Sequence, residues 1–198
     1  MRIIVATHNE GKLVEINRIL EDCLGADADQ VELVSAGSLN LPDPVEDGVT
    51  FQENALLKAR FVAQRSGMPA IADDSGLAVD ALGGAPGVYS ARYAGEPKSD
   101  AANSARLIAD LEAHADKSAY YYCVLVYVRH ADDPQPVIAD GRWNGEMIAT
   151  PRGQGGFGYD PHFYLPALGK CAAELTSDEK NALSHRGQAL RALVEKLR

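Results

Sequence analysis

The chain has 198 residues, 46% of them hydrophobic, which is enough to bury the core of one compact domain or of two lobes that share a sheet. Its formal net charge of −9 repels polyanions and so argues against charge-driven binding along DNA or RNA. No apolar run approaches the roughly 20 residues of a membrane helix, and a strand-like segment follows Met1 where a secretory leader would stand. We therefore expect a cytoplasmic protein whose partners include neither a membrane nor a nucleic-acid polymer.

The cysteine content argues against a zinc or redox site. Cys23, Cys123 and Cys171 are far apart in the sequence and form no C-x-x-C pair, which such sites require. We expect all three to be reduced residues of the core.

Hydrophobic periodicity and turn residues divide the chain into alternating strands and helices, which predicts an α/β fold with a mixed sheet in a single domain, residues 1–198. In the first half the predicted elements are a strand at 2–7, a helix at 13–24, a strand at 31–36, an irregular loop at 38–48, a helix from 51 to about 67 and a short strand at 70–73 that runs into a polar turn. In the second half they are a loop at 83–87, a helix from 99 to about 114, a strand at 119–128, one or two strands within 137–150, a glycine-rich loop at 152–160 and a final helix after Ser184.

Two of these elements carry especially clear signals. Thr50 and Glu53 form a capping box in front of the helix at 51–67. Residues 119–128 are apolar on both alternating faces and rich in β-branched and aromatic types, as in a strand covered on both sides. We therefore expect this strand to lie in the middle of the sheet.

The turn between the first strand and the first helix, Thr7–Lys12, is a candidate phosphate site. A helix N-terminus presents unpaired N–H groups and about half a positive charge, which attract phosphate oxygens. Thr7 and Asn9 can add hydrogen bonds, and Lys12 can add a charge. The segment is not a Walker loop, since it lacks that motif's glycine pattern and its Lys-Ser/Thr ending. An ordinary capped turn explains these residues equally well.

Carboxylates occur in two separated segments that can meet over one hard cation. Asp43, Glu46 and Asp47 lie in an irregular loop, whereas Asp73 and Asp74 end a short predicted strand. Adjacent residues of a strand point to opposite sides, so only one member of the second pair can face a site, and we choose Asp74. The alternative is that all of these groups are solvated loop carboxylates.

Two further segments offer ligand-binding groups. Asn54 and Lys58 lie on one face of their helix, opposite its apolar stripe, although an exposed lysine is the default interpretation. The many glycines of residues 153–160 suggest backbone that lies close to a flat ligand, with Phe157 stacked on its ring. A flexible hairpin with a buried phenylalanine is the alternative.

The C-terminal segment combines a second capping box, at 176–179, with His185 and Arg186 at the start of the last helix. A cation is disfavoured beside the N–H groups of a helix start unless an anion or a carbonyl-rich ligand is also present. These two residues therefore indicate a binding site.

Taken together, the segments THNEGK, FQENALLKA, DDSGL, GGFGYDP and SHRG resemble, in this order and at these separations, the inosine triphosphate pyrophosphatase family. This family is also called the Ham1 family or the noncanonical purine triphosphate pyrophosphatases. The resemblance implies an elongated mixed β-sheet flanked by helices, two lobes around a central cleft, and a homodimer. It also implies hydrolysis of ITP, dITP and XTP to the monophosphate and pyrophosphate with Mg²⁺, which cleanses the nucleotide pool of deaminated purines.

The resemblance assigns a role to each matching residue. Glu46 and Asp74 match the metal carboxylates, and Asp74 also matches the proposed proton acceptor. Glu46 is the least secure of these transfers, because the loop around it varies in length and Asp47 is adjacent. The substrate contacts implied by the family are Thr7, His8, Asn9, Glu10, Gly11, Lys12, Lys58, Ser75, Phe157, Gly158, Tyr159, Asp160, Lys180, His185 and Arg186.

Two other functions stay open. One is a pyrophosphatase of the related Maf type that acts on a modified pyrimidine triphosphate, against which the purine-edge residues argue. The other is a nucleotide-sensing module that binds without turnover, against which the paired metal carboxylates argue.

Overall fold

The computed structural model describes residues 1–198, which form a seven-stranded sheet flanked by five α-helices. The strands are β1 Arg2–Val5, β2 Glu32–Ser35, β3 Ala70–Val79, β4 Ser118–Val128, β5 Val137–Met147, β6 Phe163–Leu165 and β7 Lys170–Cys171. The α-helices are α1 Glu10–Leu24, α2 Phe51–Ser66, α3 Asp100–Leu111, α4 Ser177–Leu183 and α5 His185–Leu197.

The sheet is mixed, and its strand order is β2-β1-β3-β4-β5-β6-β7. β1 lies parallel to both β2 and β3, whereas β6 lies antiparallel to both β5 and β7. β4 is the middle strand, in agreement with its apolar residues on both faces. The predicted α/β class, mixed sheet and flanking helices are therefore confirmed.

The chain divides into two compact units, each with its own core. The first unit comprises residues 1–74, 123–141 and 186–198, and the second comprises residues 75–122 and 142–185. In the first unit, apolar side chains of α1 and α5 pack with residues of β1 and β4, among them Ile3, Ile16, Leu125, Leu190 and Leu193. In the second unit, residues of α3 pack with those of β4, β5 and β6, among them Leu107, Leu111, Tyr121, Trp143 and Phe163. The central cleft that the family resemblance implies stays a prediction.

The cysteines carry no disulfide bond, as expected. Cys123 and Cys171 are buried, whereas Cys23 is partly exposed. None of the helices combines the length and the apolar character that crossing a bilayer requires.

β3 is much longer than the predicted strand at 70–73. It continues through Asp74 and Ser75 to Val79, so the prediction of a polar turn after Asp73 is wrong. Turn-forming residue types dominate this segment, but the residues that follow, Leu77–Val79, are buried apolar residues that continue the strand in the core. Local composition thus predicted a turn where packing maintains a strand.

The remaining differences concern the C-terminal half of the sheet. Residues 137–147 form a single strand, one of the two outcomes that the sequence allowed. β6 and β7 were not predicted, because strands of three and two residues are too short to show an alternating pattern.

Helix α2 begins and ends as its sequence predicts. The Thr50 hydroxyl accepts a hydrogen bond from Glu53 N, and the Glu53 carboxylate accepts one from Thr50 N, each at 3.1 Å. Gly67 ends the helix with φ +68°, a left-handed conformation that glycine adopts without strain. The caps define where the helix starts, and thereby which residues its polar face presents.

Thr50→Ala should lower the free energy of unfolding by about 1 kcal/mol, because the N–H group of Glu53 loses its acceptor. The measurement is a urea titration, in which the midpoint should fall while the slope stays constant. Gln52→Ala is the control, since Gln52 is an exposed residue of the same first turn. An unchanged midpoint for Thr50→Ala would show that the capping box does not stabilise the protein.

Candidate active site

The turn before α1 is held by its own side chains. Asn9 is the N-cap, and its side-chain oxygen accepts a hydrogen bond of 3.1 Å from Lys12 N. The Thr7 hydroxyl accepts one of 3.1 Å from Asn9 N. The interpretation as a capped turn is therefore correct, and it leaves the other amide groups of the first helical turn available to an anion. Phosphate binding at this turn stays a prediction.

His8 joins this turn to the acidic loop. Its Nε2 lies 2.7 Å from the carbonyl oxygen of Leu41, and its Nδ1 lies 2.7 Å from the Asp43 carboxylate. Both partners are acceptors, so the His8 ring lies between two oxygen atoms of the segment at 41–43. Asp43 is thereby assigned to His8 and not to a metal.

Asp73 is a deeply buried carboxylate of the first unit, with only 3% of the residue exposed. Lys12 Nζ donates to its two oxygens at 3.1 and 3.2 Å, and Arg186 Nη2 lies 3.4 Å from Oδ2. Arg186 Nη1 also donates to both oxygens of Glu15, at 3.1 and 3.0 Å. Burial alone would raise the pKa of Asp73, but the charges of Lys12 and Arg186 outweigh it and hold that pKa well below its ordinary value. This group is balanced, with two cations for two carboxylates.

The position of Arg186 explains how a cation is tolerated at the start of α5. Its side chain is only 3% exposed, and the anions that compensate it are Asp73 and Glu15 of the protein itself. The sequence predicted an anion or a carbonyl-rich ligand at this point. A direct contact between Arg186 and a purine stays a prediction, whereas its contact with Asp73 is part of the fold.

Asp74, the next residue of β3, belongs to a second charged group. Lys58 Nζ lies 3.1 Å from Asp74 Oδ1 and 3.1 Å from Glu46 Oε2, so one ammonium serves two carboxylates. Asn54 Nδ2 donates to Asp74 Oδ2 at 3.2 Å, and the Asn54 side-chain oxygen accepts from Gly48 N at 2.8 Å. Asn54 thus links the acidic loop to the strand.

The charge of this second group is not balanced. Two carboxylates face one lysine, so the group retains one negative charge when both acids are ionised. Burial raises the pKa of Asp74, Lys58 opposes that shift, and the negative charge of Glu46 adds to it. The pKa of Lys58 is raised because Asp73, Asp74 and Glu46 together outweigh its burial. Asp74 is therefore a carboxylate whose ionised form an added cation would stabilise.

The donor set fits Mg²⁺ as a partly coordinated ion. No three acids, histidines or cysteines of the chain are clustered as a complete metal cage would require. Mg²⁺ does not need such a cage, because it usually retains several waters and binds through one or two carboxylates together with substrate phosphates. Glu46 and Asp74 converge on one ammonium, which makes them the pair suited to that role.

A pocket in the second unit brings together most of the residues predicted to contact the base. Its empty volume is about 580 Å³, including space open to solvent. Its lining residues are Ser75, Gly76, Leu77, Ser90, Ala91, Asp100, Tyr121, Phe157, Gly158, Tyr159, Asp160, Lys180 and His185.

Asp160 anchors the cationic side of this pocket. Its carboxylate, almost completely buried, accepts hydrogen bonds from Lys180 Nζ at 2.5 Å, Phe157 N at 3.0 Å and the Tyr121 hydroxyl at 3.0 Å. Lys180 Nζ also lies 4.6 Å from the centre of the Phe157 ring, a cation–π distance. Gly156 is required here, because it has φ +70° and a Cβ atom would collide with the Asp160 carboxylate.

The aromatic residues of the pocket differ in how exposed they are. Phe157 is 60% exposed, so the alternative of a buried phenylalanine is wrong and its ring is accessible to a ligand. Tyr159 is buried, and its hydroxyl donates to the carbonyl of Ser90 at 2.7 Å. The His185 ring stacks on Tyr121, with ring centres 4.8 Å apart and an angle of 11° between the planes.

Sequence reasoning chose Asp74 over Asp73 and named no role for Asp100 or Tyr121, whereas it offered Asn54 as a ligand-binding group. The shared helix face of Asn54 and Lys58 was the signal for Asn54, since it placed an amide beside the lysine. Tyr121 gave no signal, because β4 is apolar on both faces and three tyrosines follow one another. Asp100 accepts a hydrogen bond from Gly158 N at 2.8 Å, a contact between residues far apart in the sequence.

The structure is therefore that of an α/β protein with two candidate sites. The group of Glu46, Lys58 and Asp74 is suited to phosphate chemistry, and the aromatic pocket of the second unit is suited to a flat polar ring. The model of the Ham1 family matches residues 3–196, so the chain belongs to the Ham1 family.

Relatives of known name are similar over almost the full length. A dITP/XTP pyrophosphatase of Ralstonia nicotianae is 62% identical over 100% of this chain and 96% of its own length. A dITP/XTP pyrophosphatase of Nitrosomonas europaea is 55% identical over 99% of this chain and 94% of its own length. Among solved structures, a HAM1 protein from Coxiella burnetii has a TM-score of 0.92 at 44% identity and covers 100% of this chain and 98% of its own.

Arg186→Met should lower the free energy of unfolding by about 3–5 kcal/mol, because it leaves the buried carboxylate of Asp73 and the partly buried carboxylate of Glu15 short of a cation. The control is Arg2→Met, which breaks the exposed ion pair with Glu32 and should cost less than about 1 kcal/mol. Urea denaturation of both variants measures the difference. Equal losses for the two variants would contradict the assignment of Arg186 to a buried charge group.

Proposed function

We propose that this protein hydrolyses the deaminated purine nucleoside triphosphates ITP, dITP and XTP to the monophosphate and pyrophosphate with Mg²⁺, and so cleanses the nucleotide pool. The observation that carries the proposal is the pair of carboxylates, Asp74 and Glu46, that shares the single charge of Lys58. Membership of the Ham1 family and the printed names of the relatives support the choice of substrate.

The triphosphate is bound by the first unit. Amide groups at the start of α1 and the side chains of Thr7, His8, Asn9 and Lys12 face its oxygens, with Glu10 and Gly11 shaping the turn, and Lys58 adds a further cation. When bound, Mg²⁺ held by Glu46 and Asp74 would neutralise phosphate charge and polarise the phosphorus that is attacked. Lys12 and Lys58 then shift part of their contact from Asp73, Asp74 and Glu46 to phosphate.

Asp74 accepts the proton of the attacking water. A water oxygen forms a bond to phosphorus, the anhydride bond between the α- and β-phosphates breaks, and pyrophosphate leaves with the electron pair of that bond. Asp74 acts in its ionised form, which a bound Mg²⁺ would favour, so its contribution is the placement of a proton acceptor and not an increased basicity. Its position is fixed by Asn54 and Lys58, so it needs little reorganisation.

The base is bound by the pocket of the second unit. Phe157 stacks on the purine, Ser75 and the main chain of residues 158–160 line the pocket beside it, and Lys180 donates to the carbonyl oxygen at position 6. Main-chain N–H groups near His185 contribute further donors. We also assign to Arg186 a direct contact with the position-6 side of the purine. Its guanidinium already contacts Asp73 and Glu15, so a structure with bound ITP is the test of this contact.

The family resemblance and the charge also suggest the state of the protein in the cell. We infer a cytoplasmic homodimer whose partner is a purine nucleoside triphosphate and not a nucleic-acid polymer, since the net charge is −9. Light scattering on the purified chain measures the oligomeric state.

A phosphate-release assay coupled to inorganic pyrophosphatase tests the function. ITP, dITP, XTP, GTP, ATP and UTP are compared with and without Mg²⁺. Release from ITP, dITP and XTP that depends on Mg²⁺ is the expected result. Preference for UTP, the pyrimidine substrate of this set, would favour a Maf-type activity, and tight ITP binding without release would favour a sensor.

Asp74→Asn should reduce kcat for ITP by about 100- to 10,000-fold, because the amide cannot accept the proton of water. The melting temperature should change little, since the amide retains the shape of the side chain. Asp80→Asn, at the exposed residue directly after β3, is the matched control and should retain normal turnover. Normal ITP hydrolysis by Asp74→Asn would refute the catalytic assignment.

Glu46→Gln should raise the Mg²⁺ concentration needed for half-maximal activity by at least about tenfold. A change in a residue next to a metal ligand already weakens metal binding by roughly this factor, and Glu46 is itself the proposed ligand. The neighbouring Asp47→Asn is the control, and it should leave the Mg²⁺ requirement unchanged. The measurement is initial rate against Mg²⁺ concentration at saturating ITP. A shift in Asp47→Asn alone would transfer the metal assignment from Glu46 to Asp47.

A further inference from the structure

Tyr121 has a buried hydroxyl with a specific partner. The residue is 8% exposed, lines the pocket of the second unit, and donates a hydrogen bond of 3.0 Å to Asp160 Oδ1. Burial first, and then the negative charge of Asp160, raise the pKa of Tyr121 far above its ordinary value. The hydroxyl therefore keeps its proton and remains a donor.

This hydrogen bond fixes the orientation of the Asp160 carboxylate. Tyr121 uses one oxygen, and the other oxygen receives Lys180 Nζ at 2.5 Å and Phe157 N at 3.0 Å. If the first bond were absent, the carboxylate could rotate about its terminal torsion, which is a soft one. Lys180, which is held by that carboxylate, would lose its direction as well.

The ring of Tyr121 holds a second residue of the pocket. It stacks on His185, with ring centres 4.8 Å apart and planes 11° apart, and it contacts Phe163 at 4.7 Å between ring centres. The Tyr121 hydroxyl therefore contacts Asp160, the partner of Lys180, and the Tyr121 ring contacts His185.

We propose that Tyr121 is a positioning residue that aims Lys180 through Asp160, and that it thereby determines how strongly the pocket prefers a base with a carbonyl oxygen at position 6. The inference rests on the proposed binding of the base in this pocket. Tyr121 does not touch the reacting atoms, so its effect is on binding and base preference and not on the chemical step.

The test is Tyr121→Phe, which removes the hydroxyl and retains the ring that stacks on His185. KM for ITP should rise about tenfold, the usual effect of losing a hydrogen bond to a charged group, with kcat little changed. The rate with ATP should stay the same or rise, because adenine has no carbonyl oxygen for Lys180 to bind and a lysine that is free to move no longer opposes the adenine amino group. The preference for ITP over ATP in kcat/KM should therefore fall by at least the same factor.

Tyr127→Phe is the matched control. Tyr127 lies on the same strand, is 7% exposed, and belongs to the core of the first unit. Tyr127→Phe also removes a tyrosine hydroxyl, but it should leave KM for every nucleotide unchanged. Thermal melting of both variants measures any general loss of stability.

Lys180→Met and the double variant Tyr121→Phe with Lys180→Met separate the inference from the proposed function. Because Tyr121 acts through Lys180, the double variant should be no worse than Lys180→Met alone. If Lys180→Met itself leaves the preference for ITP unchanged, the assignment of this pocket to the base is wrong.

If Lys180→Met weakens ITP binding and Tyr121→Phe does not, the pocket assignment stands and the role of Tyr121 is refuted. The inference also fails if Tyr121→Phe lowers the rates with ITP and ATP equally, or if the two changes are additive. Either result would mean that Tyr121 only stabilises the fold.

Discussion

Two consecutive carboxylates of β3 have to be kept ionised in a largely buried position, and the first unit is organised around this constraint. Asp73 and Asp74 are adjacent residues of an extended strand and point to opposite sides, so different cations contact them directly. A buried carboxylate is unfavourable unless cations and hydrogen bonds compensate for the lost water. Lys12 of α1 and Arg186 of α5 compensate Asp73, and the same contacts fix the first turns of both helices against the strand.

The other side of the strand is compensated only in part. Lys58 is shared between Asp74 and Glu46, although a second cation at this point would stabilise the isolated protein. Local departures of this kind from the most stable arrangement are concentrated at functional sites. The remaining negative charge attracts a divalent ion, and it leaves the carboxylate of Asp74 without a full set of cations, so that this group can accept a proton. A balanced group such as that around Asp73 could do neither.

The sequence was sufficient for the elements whose signals are local, and insufficient where packing decides. The capping box of Thr50 and Glu53 and the apolar strand β4 follow from residues close together in the chain, and both are confirmed. The extension of β3 through Asp74 depends instead on the burial of Leu77 and its neighbours, which a polar segment does not indicate. Partners such as Asp73 and Arg186 are 113 residues apart, so no motif could reveal that the arginine neutralises a carboxylate. The motif grouped His185 and Arg186, yet these adjacent residues belong to different compact units.

The state of Lys180 decides how adenine is rejected in the proposed function. A donor left wholly unpaired would penalise ATP strongly, but the ammonium of Lys180 already contacts Asp160 and the Phe157 ring. Loss of the contact with a base oxygen is therefore a modest penalty. The larger penalty arises because adenine has an amino group at position 6, and this donor meets the N–H donors of Lys180. Two donors that face each other disfavour binding even when no polar atom is left unpaired. That clash requires an ammonium held in one direction, since a mobile lysine would move aside. Selection of the base therefore depends on the rigidity of the group around Asp160 as much as on the lysine itself.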